Sequence, residues 1–118
     1  MVENIENAYV PEMADIIWIL STIHKENKQE KSYPVLVLSP KIYNEKSGLC
    51  LCVPFTSKIK GYPFEVRCEI LDKDSAILSD QLTSVDYKAR KATFITQCDE
   101  SVFHQVKAKI ALLLDLNY

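Results

Sequence analysis

The sequence has few of the features that anchor a protein in a membrane or divide it into several domains. No apolar run approaches the roughly 20 residues that cross a bilayer, and the first 14 residues do not resemble a signal peptide. With two glycines and five prolines among 118 residues, the chain contains no Gly/Ser-rich or Pro-rich linker. We therefore expect a flexible terminus at residues 1–8, one domain over residues 9–118, and a cytoplasmic protein that does not contact a membrane.

Excess positive charge and metal-ligand spacing are also absent. The formal net charge is −2, which argues against nucleic-acid binding by overall charge, so local basic clusters would have to bind any such ligand. The four cysteines show no zinc-ligand spacing, and Cys50 and Cys52 are spaced to point to one face of a strand. We favour reduced, buried thiols over the disulfides that Cys50, Cys52, Cys68 and Cys98 could form in a secreted protein.

The sequence does contain a series of short runs rich in β-branched and aromatic residues. We predict strands at residues 15–20, 33–40, 49–55, 64–70, 76–78 and 92–96. The strands at 49–55 and 64–70 are predicted to form a hairpin that turns at Gly61 and Pro63, and one helical turn is expected within 41–48. Because no helix separates consecutive strands, the pattern predicts a small, strongly bent barrel rather than a βαβ sheet.

A C-terminal amphipathic helix is predicted after the last strand. Asp99 is suited to cap its first turn, and the apolar residues then recur at helical spacing: Val102, Phe103, Val106, Ile110, Leu113 and Leu114. The fold class is therefore mainly β with one terminal helix.

Several segments together resemble the MazF branch of the MazF/PemK/Kid toxin family. They are YVPEMADIIW at 9–18, VLSPKIYNEKSGLCLCVPFTSKIKGYPFEV at 37–66, SDQ at 79–81, KARKAT at 88–93 and VKAKI at 106–110. The resemblance implies an SH3-like barrel of the MazF/CcdB type, a homodimer, and metal-independent cleavage of single-stranded mRNA with no cofactor. It also implies a cognate, MazE-like antitoxin whose acidic, disordered tail covers the RNA groove.

Metal-independent cleavage uses the 2′-hydroxyl of the RNA as nucleophile, so the protein must supply a base, an acid and groups that stabilise the phosphorane charge. By resemblance, Thr56 is the catalytic threonine, and Asp80 matches an aspartate implicated in catalysis in PemK/Kid-type toxins. Arg90 matches a basic residue that holds substrate. Local alternatives exist for each: Thr56 can hydrogen-bond its own loop, Asp80 can form a turn, and the cluster around Arg90 can be a solvated face.

The loop that contains Thr56 offers further RNA contacts. Ser57 supplies a second hydroxyl there, and Lys58 and Lys60 supply positive charge. Phe55 or Tyr62 could stack on a base, although either could instead pack the hairpin.

The first loop, residues 21–32, departs from the family pattern. The family carries Gly-x-Glu in this loop, and the matching positions here are Glu26, Asn27 and Lys28. The family's main catalytic arginine stands directly before the proline of the second strand, whereas here Tyr33 precedes Pro34. Tyr33 can serve as an acid, but a phenol with a pKa of about 10 does not replace a permanent, forked cation. Lys28 is therefore assigned to RNA binding, and the missing charge would have to come from it, from Lys31, or from the neighbouring His24 and Lys25. Ala14 also replaces a glycine that normally precedes the aspartate of the first strand.

Two functions of different class remain open. We favour an endoribonuclease toxin with a rebuilt first loop, because the match covers nearly the whole chain. The alternative is a MazF-fold protein that binds RNA or antitoxin without efficient cleavage. A gyrase poison on the same barrel is less favoured, since the Trp-Gly-Ile ending of the CcdB poisons is absent from residues 115–118.

Overall fold

The structure, a computed structural model, describes residues 9–21 and 31–116. In chain order the elements are β1 (Asp15–Leu20), β2 (Ser32–Val37), α1 (Lys41–Ser47), β3 (Leu49–Thr56), β4 (Glu65–Arg67), β5 (Ala76–Leu78), β6 (Thr83–Asp86), β7 (Thr93–Gln97) and α2 (Glu100–Leu114). The predicted flexible terminus and most of the predicted first loop lie outside the described residues.

Strand β3 is the centre of the sheet. It pairs with β2 along one edge, while its other edge pairs first with β6, through residues 49–52, and then with β5, through Phe55 and Thr56. The strand order is β4-β5-β3-β2-β1-β7, with β6 attached to β3, and all pairs are antiparallel. Because β5 and β6 share one edge of β3, the sheet bends along that strand. The predicted mainly β barrel with a C-terminal helix is confirmed.

The predicted hairpin of residues 49–55 and 64–70 is wrong in its pairing. The return strand β4 comprises only Glu65–Arg67, and it pairs with β5, which lies between β4 and β3. After β4, the Cys68 amide donates to Ser75 O at 3.0 Å, and the bridge of Ile70 with Lys73 closes a tight turn. Residues 68–75 therefore form a short hydrogen-bonded loop instead of extending strand β4.

Two hydrophobic clusters occupy the two faces of the sheet, as strand alternation requires. Ile16 belongs to the first cluster, which also contains Phe103 and Val106 of α2, whereas Ile17 belongs to the second. Cys50 and Cys52 lie together in the second cluster and are fully buried, which confirms the predicted shared face. All four cysteines are free thiols.

The helices differ from the prediction in detail. Helix α1 covers seven residues instead of a single turn and ends at Gly48, whose φ of 76° is left-handed. Asp99 is the N-cap residue of α2, but its carboxylate makes no cap bond and accepts from Ser101 Oγ at 3.0 Å instead. The last two residues of the predicted apolar stripe, Leu113 and Leu114, are exposed. The buried part of α2 therefore ends at Ala111.

A buried polar network connects α1 to the sheet. Asn44 is fully buried; its Nδ2 donates to Pro11 O at 2.8 Å and to Ser39 O at 3.1 Å, and its Oδ1 accepts from Ser39 Oγ at 2.6 Å. Ser39 Oγ in turn accepts from the amide of Leu51 in β3 at 2.8 Å. Tyr87 donates its hydroxyl to Asn44 O at 2.8 Å. This network fixes β3, the strand that ends in Thr56.

Candidate active site

A groove of about 300 Å³ lies at the end of β3, and we call it the Thr56 groove. Its lining residues are Thr56, Lys58, Lys60, Tyr62, Glu65, Leu78, Asp80 and Gln81. Strand β5 begins opposite Thr56, at Ala76. The turn that follows β5, closed by the bond from Gln81 N to Leu78 O at 3.1 Å, places Asp80 in the groove. The structure thus brings together four of the residues predicted from sequence, Thr56, Lys58, Lys60 and Asp80.

The loop after β3 is held by two acceptors within the groove. Thr56 Oγ1 accepts from the Lys58 amide at 3.1 Å, so the predicted local bond of this hydroxyl is present. A hydroxyl that accepts one hydrogen bond still has a proton to donate. The Glu65 carboxylate accepts from the amides of Lys60, at 3.2 Å, and of Gly61, at 2.9 Å. These bonds fix the backbone and leave the lysine side chains exposed.

Tyr62 and Asp80 form a hydrogen-bonded pair across the groove. The phenol donates to Asp80 Oδ2 at 2.6 Å, although Tyr62 is 44% exposed. This hydrogen bond is the main reason that the pKa of Tyr62 is raised, and partial burial and the negative charge of Asp80 add to it. Asp80 Oδ1 is buried and has no hydrogen-bond partner among the described residues. Sequence reasoning missed this pair, because nothing in the sequence links positions 18 residues apart.

Thr56 also lines a second, more apolar cleft of about 360 Å³. Trp18, Pro34, Phe55 and Ser57 line it together with the turn at residues 70–75. Thr56 therefore lies where a polar groove meets a cleft with aromatic walls. The predicted RNA contacts separate accordingly, since Ser57 lines the cleft whereas Lys58 and Lys60 line the groove.

Tyr33 and Arg90 contact each other and line neither the Thr56 groove nor this cleft. Arg90 Nη2 donates to Tyr33 Oη at 3.1 Å, and Arg90 Nε donates to Leu20 O at 2.6 Å. The last β2–β3 pair is Val35 with Pro54, and two further steps of the same register would place Tyr33 opposite Thr56. Tyr33 is thus on the strand next to Thr56, with its hydroxyl held by Arg90. Lys28, His24 and Lys25 lie outside the described residues.

The Thr56 groove has equal numbers of positive and negative side chains. Lys58 and Lys60 are matched by Glu65 and Asp80. Within the described ranges neither lysine forms an ion pair; the pairs found there are Lys41–Glu12 and Arg67–Asp74, both exposed. Because Glu65 is engaged by backbone amides, the two lysine ammonium groups remain available to an anionic ligand.

Within residues 9–21 and 31–116, no group of three or more His, Cys, Asp or Glu side chains is arranged to hold a metal ion. None of the helices in this part of the chain has the length and apolar character needed to cross a bilayer.

Comparison with known proteins identifies the family. Residues 12–114 match the family described as PemK-like, MazF-like toxin of type II toxin-antitoxin system. The Endoribonuclease toxin MazF of Escherichia coli (strain K12) is 42% identical over 106 residues, covering 90% of this chain and 96% of that protein. A MazE–MazF crystal structure from Deinococcus radiodurans (Form-III) contains a chain with a TM-score of 0.81 and 33% identity, covering 92% of this chain and all of that one.

A more distant structure supports the fold alone. The Mycobacterium tuberculosis toxin MazF-mt6 superposes with a TM-score of 0.69 at 19% identity, covering 86% of this chain and 98% of that one. The family match extends over nearly all described residues, from the turn before β1 to the last residue of α2. This chain therefore belongs to the PemK-like, MazF-like toxin family of type II toxin-antitoxin systems.

Proposed function

We propose that this protein is the toxin of a type II toxin-antitoxin system and an endoribonuclease that cleaves single-stranded mRNA through the substrate's own 2′-hydroxyl. The observation that carries the proposal is the convergence of Thr56, Asp80, Lys58 and Lys60 on one groove at the end of β3. The name of the 42% identical E. coli protein, Endoribonuclease toxin MazF, supports the same activity.

The groove supplies groups for each part of this reaction. The RNA 2′-oxygen loses its proton and attacks the adjacent phosphorus, and the 5′-oxygen leaves with a proton, which gives a 2′,3′-cyclic phosphate and a 5′-hydroxyl. The Thr56 hydroxyl donates a hydrogen bond to a phosphoryl oxygen, and Lys58 and Lys60 offset its growing negative charge. Tyr62 donates its phenol proton to Asp80 Oδ2 at 2.6 Å, so the pair acts as a relay: the phenol oxygen takes the 2′-hydroxyl proton while its own proton passes to Asp80, and the reverse transfer protonates the leaving 5′-oxygen.

The remaining predicted residues are assigned by their position. Tyr33 lies next to β3 and is a second candidate acid, with Arg90 fixing its oxygen through the 3.1 Å hydrogen bond. Ser57 faces the aromatic cleft, which has the shape and apolar walls to accept a base beside the scissile phosphate. Lys28 is proposed to contact RNA from the first loop.

Cleavage of labelled single-stranded RNA in excess chelator tests the proposal. We expect fragments that end in a 2′,3′-cyclic phosphate, and Thr56→Ala should lower the cleavage rate about 10²- to 10³-fold, the usual effect of removing one group that stabilises a developing oxyanion. Ser47→Ala is the matched control, because Ser47 Oγ also accepts from the amide two residues ahead, at 3.0 Å, but lies at the end of α1. This control should cleave at the normal rate.

The alternative function makes the opposite prediction in the same assay. RNA that is bound but stays intact would favour a binding protein that cleaves poorly, as the loss of the family arginine at Tyr33 suggests. Equal losses in Thr56→Ala and Ser47→Ala would show that the loss of rate reflects damage to the fold.

Partners and location follow from the proposed activity. We propose a homodimer, which exposed leucines at the end of α2 support, and a MazE-like antitoxin with an acidic, disordered tail, which the MazE–MazF complex from D. radiodurans supports. A cytoplasmic location follows from the mRNA substrate. Light scattering should give about twice the 13.5 kDa chain mass, and an acidic antitoxin peptide should displace RNA from the dimer.

A further inference from the structure

A second groove, which shares no lining residue with the Thr56 groove, lies beside the edge strand β7, and we call it the Phe94 groove. It has a volume of about 450 Å³ and is lined by Tyr9, Tyr87, Lys88, Lys91, Ala92, Thr93 and Phe94. Phe94 pairs with Ile17 of β1, Ile17 pairs with Val35 of β2, and Val35 pairs with Pro54 of β3. Three strand spacings of about 4.8 Å each therefore lie along the sheet between Phe94 and β3, the strand that ends in Thr56.

The aromatic walls of the Phe94 groove are held in place. Phe94 is 51% exposed, and its ring makes an edge-to-face contact with Tyr9, with centroids 6.5 Å apart. Tyr9 is fixed because its hydroxyl donates to the buried carboxylate of Asp15 at 2.7 Å. Tyr87 is fixed by its hydroxyl bond to the carbonyl of Asn44. The groove therefore presents an exposed ring face that needs little ordering on binding.

The turn of residues 86–92 places two exposed lysines beside this ring. It is closed by the bonds from Lys91 N to Lys88 O at 3.1 Å and from Ala92 N to Tyr87 O at 2.9 Å. Lys88 and Lys91 are exposed, and neither has an ion-pair partner within the described ranges. Arg90, between them, turns away to Leu20 and Tyr33.

We propose that the Phe94 groove is a second binding site for single-stranded RNA, in which a base stacks on Phe94 and the flanking phosphates contact Lys88 and Lys91. An exposed aromatic ring beside exposed lysines is the combination that binds single strands without sequence preference. The inference rests on the proposed function for its ligand class. It adds that an RNA long enough to span the molecule is held at two points, one in each groove.

Fluorescence anisotropy with uncleavable 2′-O-methyl RNA tests this inference without requiring cleavage. The oligonucleotide is about 16 residues long, the upper end of the site sizes of single-strand-binding domains. Phe94→Ala should weaken binding of the long RNA by about 5- to 150-fold, the range for loss of one stacked base, and Phe94→Tyr should restore it. Tyr43→Ala, which removes an exposed ring on α1, is the matched control and should not change the affinity.

Salt dependence tests the lysines separately. In Lys88→Ala/Lys91→Ala, the slope of log K against log salt should become shallower by about 1.4, at about 0.7 per phosphate on a single strand. The control Lys41→Ala/Lys46→Ala removes the same charge from α1 and should leave the slope unchanged.

Equal effects in the groove and control variants would overturn the inference, as would lysine effects without any effect of Phe94→Ala. If the groove variants no longer bind an acidic peptide but still bind RNA normally, the groove is a site for a protein partner, and the inference is likewise overturned. A protein that binds RNA through Phe94 and never cuts it would contradict the proposed function alone. Normal cleavage combined with unchanged binding of long RNA in every Phe94 variant would contradict this inference alone.

Discussion

Replacing Asn44 with alanine tests whether the buried polar network stabilises the fold that carries the site. The side chain makes three hydrogen bonds, two donated to the carbonyls of Pro11 and Ser39 and one accepted from Ser39 Oγ. Each such bond contributes about 1 kcal/mol net, so Asn44→Ala should lower the free energy of unfolding by about 3 kcal/mol. At about 4 °C per kcal/mol, the melting temperature should fall by roughly 12 °C.

Urea or thermal unfolding at one fixed protein concentration measures this loss, since oligomers unfold in a concentration-dependent way. Glu45→Ala, the next residue of α1 but exposed, should change stability by no more than about 0.5 kcal/mol. Asn44→Asp keeps the shape but cannot donate to either carbonyl when ionised, so it should destabilise at least as much at neutral pH. A loss below about 1 kcal/mol for Asn44→Ala would refute the argument that these bonds anchor α1 to β3.

Three further predictions concern charge, thiol reactivity and backbone strain. Lys58→Ala/Lys60→Ala should make the salt dependence of RNA binding shallower by about 1.4 in log–log slope, and an unchanged slope would remove these lysines from the RNA site. Cys68 is partly exposed and its pKa is lowered by a hydrogen bond from Cys98, so iodoacetamide should label it first, and Cys98→Ala should shift its labelling to higher pH. Gly48→Ala meets no atom within 4 Å but keeps a φ of 76°, so it should cost roughly 1 kcal/mol of unfolding free energy through strain alone.

Most strand positions were predictable because alternation and β-branched content act locally, but β6 (Thr83–Asp86) was not predicted. Strands β1 and β5 have the predicted bounds, and β3 extends one residue beyond them. The partner of a strand is not a local property, and this explains the wrong hairpin. Residues 64–70 alternate like a strand, but Glu65 binds the amides of Lys60 and Gly61. Strand β4 therefore does not lie next to β3, because β5 occupies the position between them.

The site was predictable in part, since Lys58 and Lys60 follow from the composition of the loop after β3, whereas the catalytic roles came only from the resemblance. Thr56 and Asp80 came from the resemblance, and pairing of β3 with β5 explains why they share a groove. The Tyr62–Asp80 bond and the burial of Asn44 were not predictable, because both depend on tertiary contacts. Asn44 lies in a polar stretch, KIYNEKS, where a polar side chain is normally exposed. Its burial is favourable only because its side chain forms hydrogen bonds with Pro11 and Ser39.

The position of Arg90 bears on which residues supply positive charge to the reaction. A guanidinium can donate to two acceptors in different directions, and Arg90 uses this to join Leu20 O, at the end of β1, to Tyr33 Oη on β2. Moving Arg90 to the phosphate would break both bonds, so it is a poor substitute for the arginine that the family carries at the position of Tyr33. In the proposed mechanism the charge therefore comes from Lys58 and Lys60, which line the groove and have no ion-pair partner in the described residues. Because these two ammonium groups are exposed and screened by salt, cleavage by this chain should be more sensitive to ionic strength than cleavage that depends on a buried, forked cation.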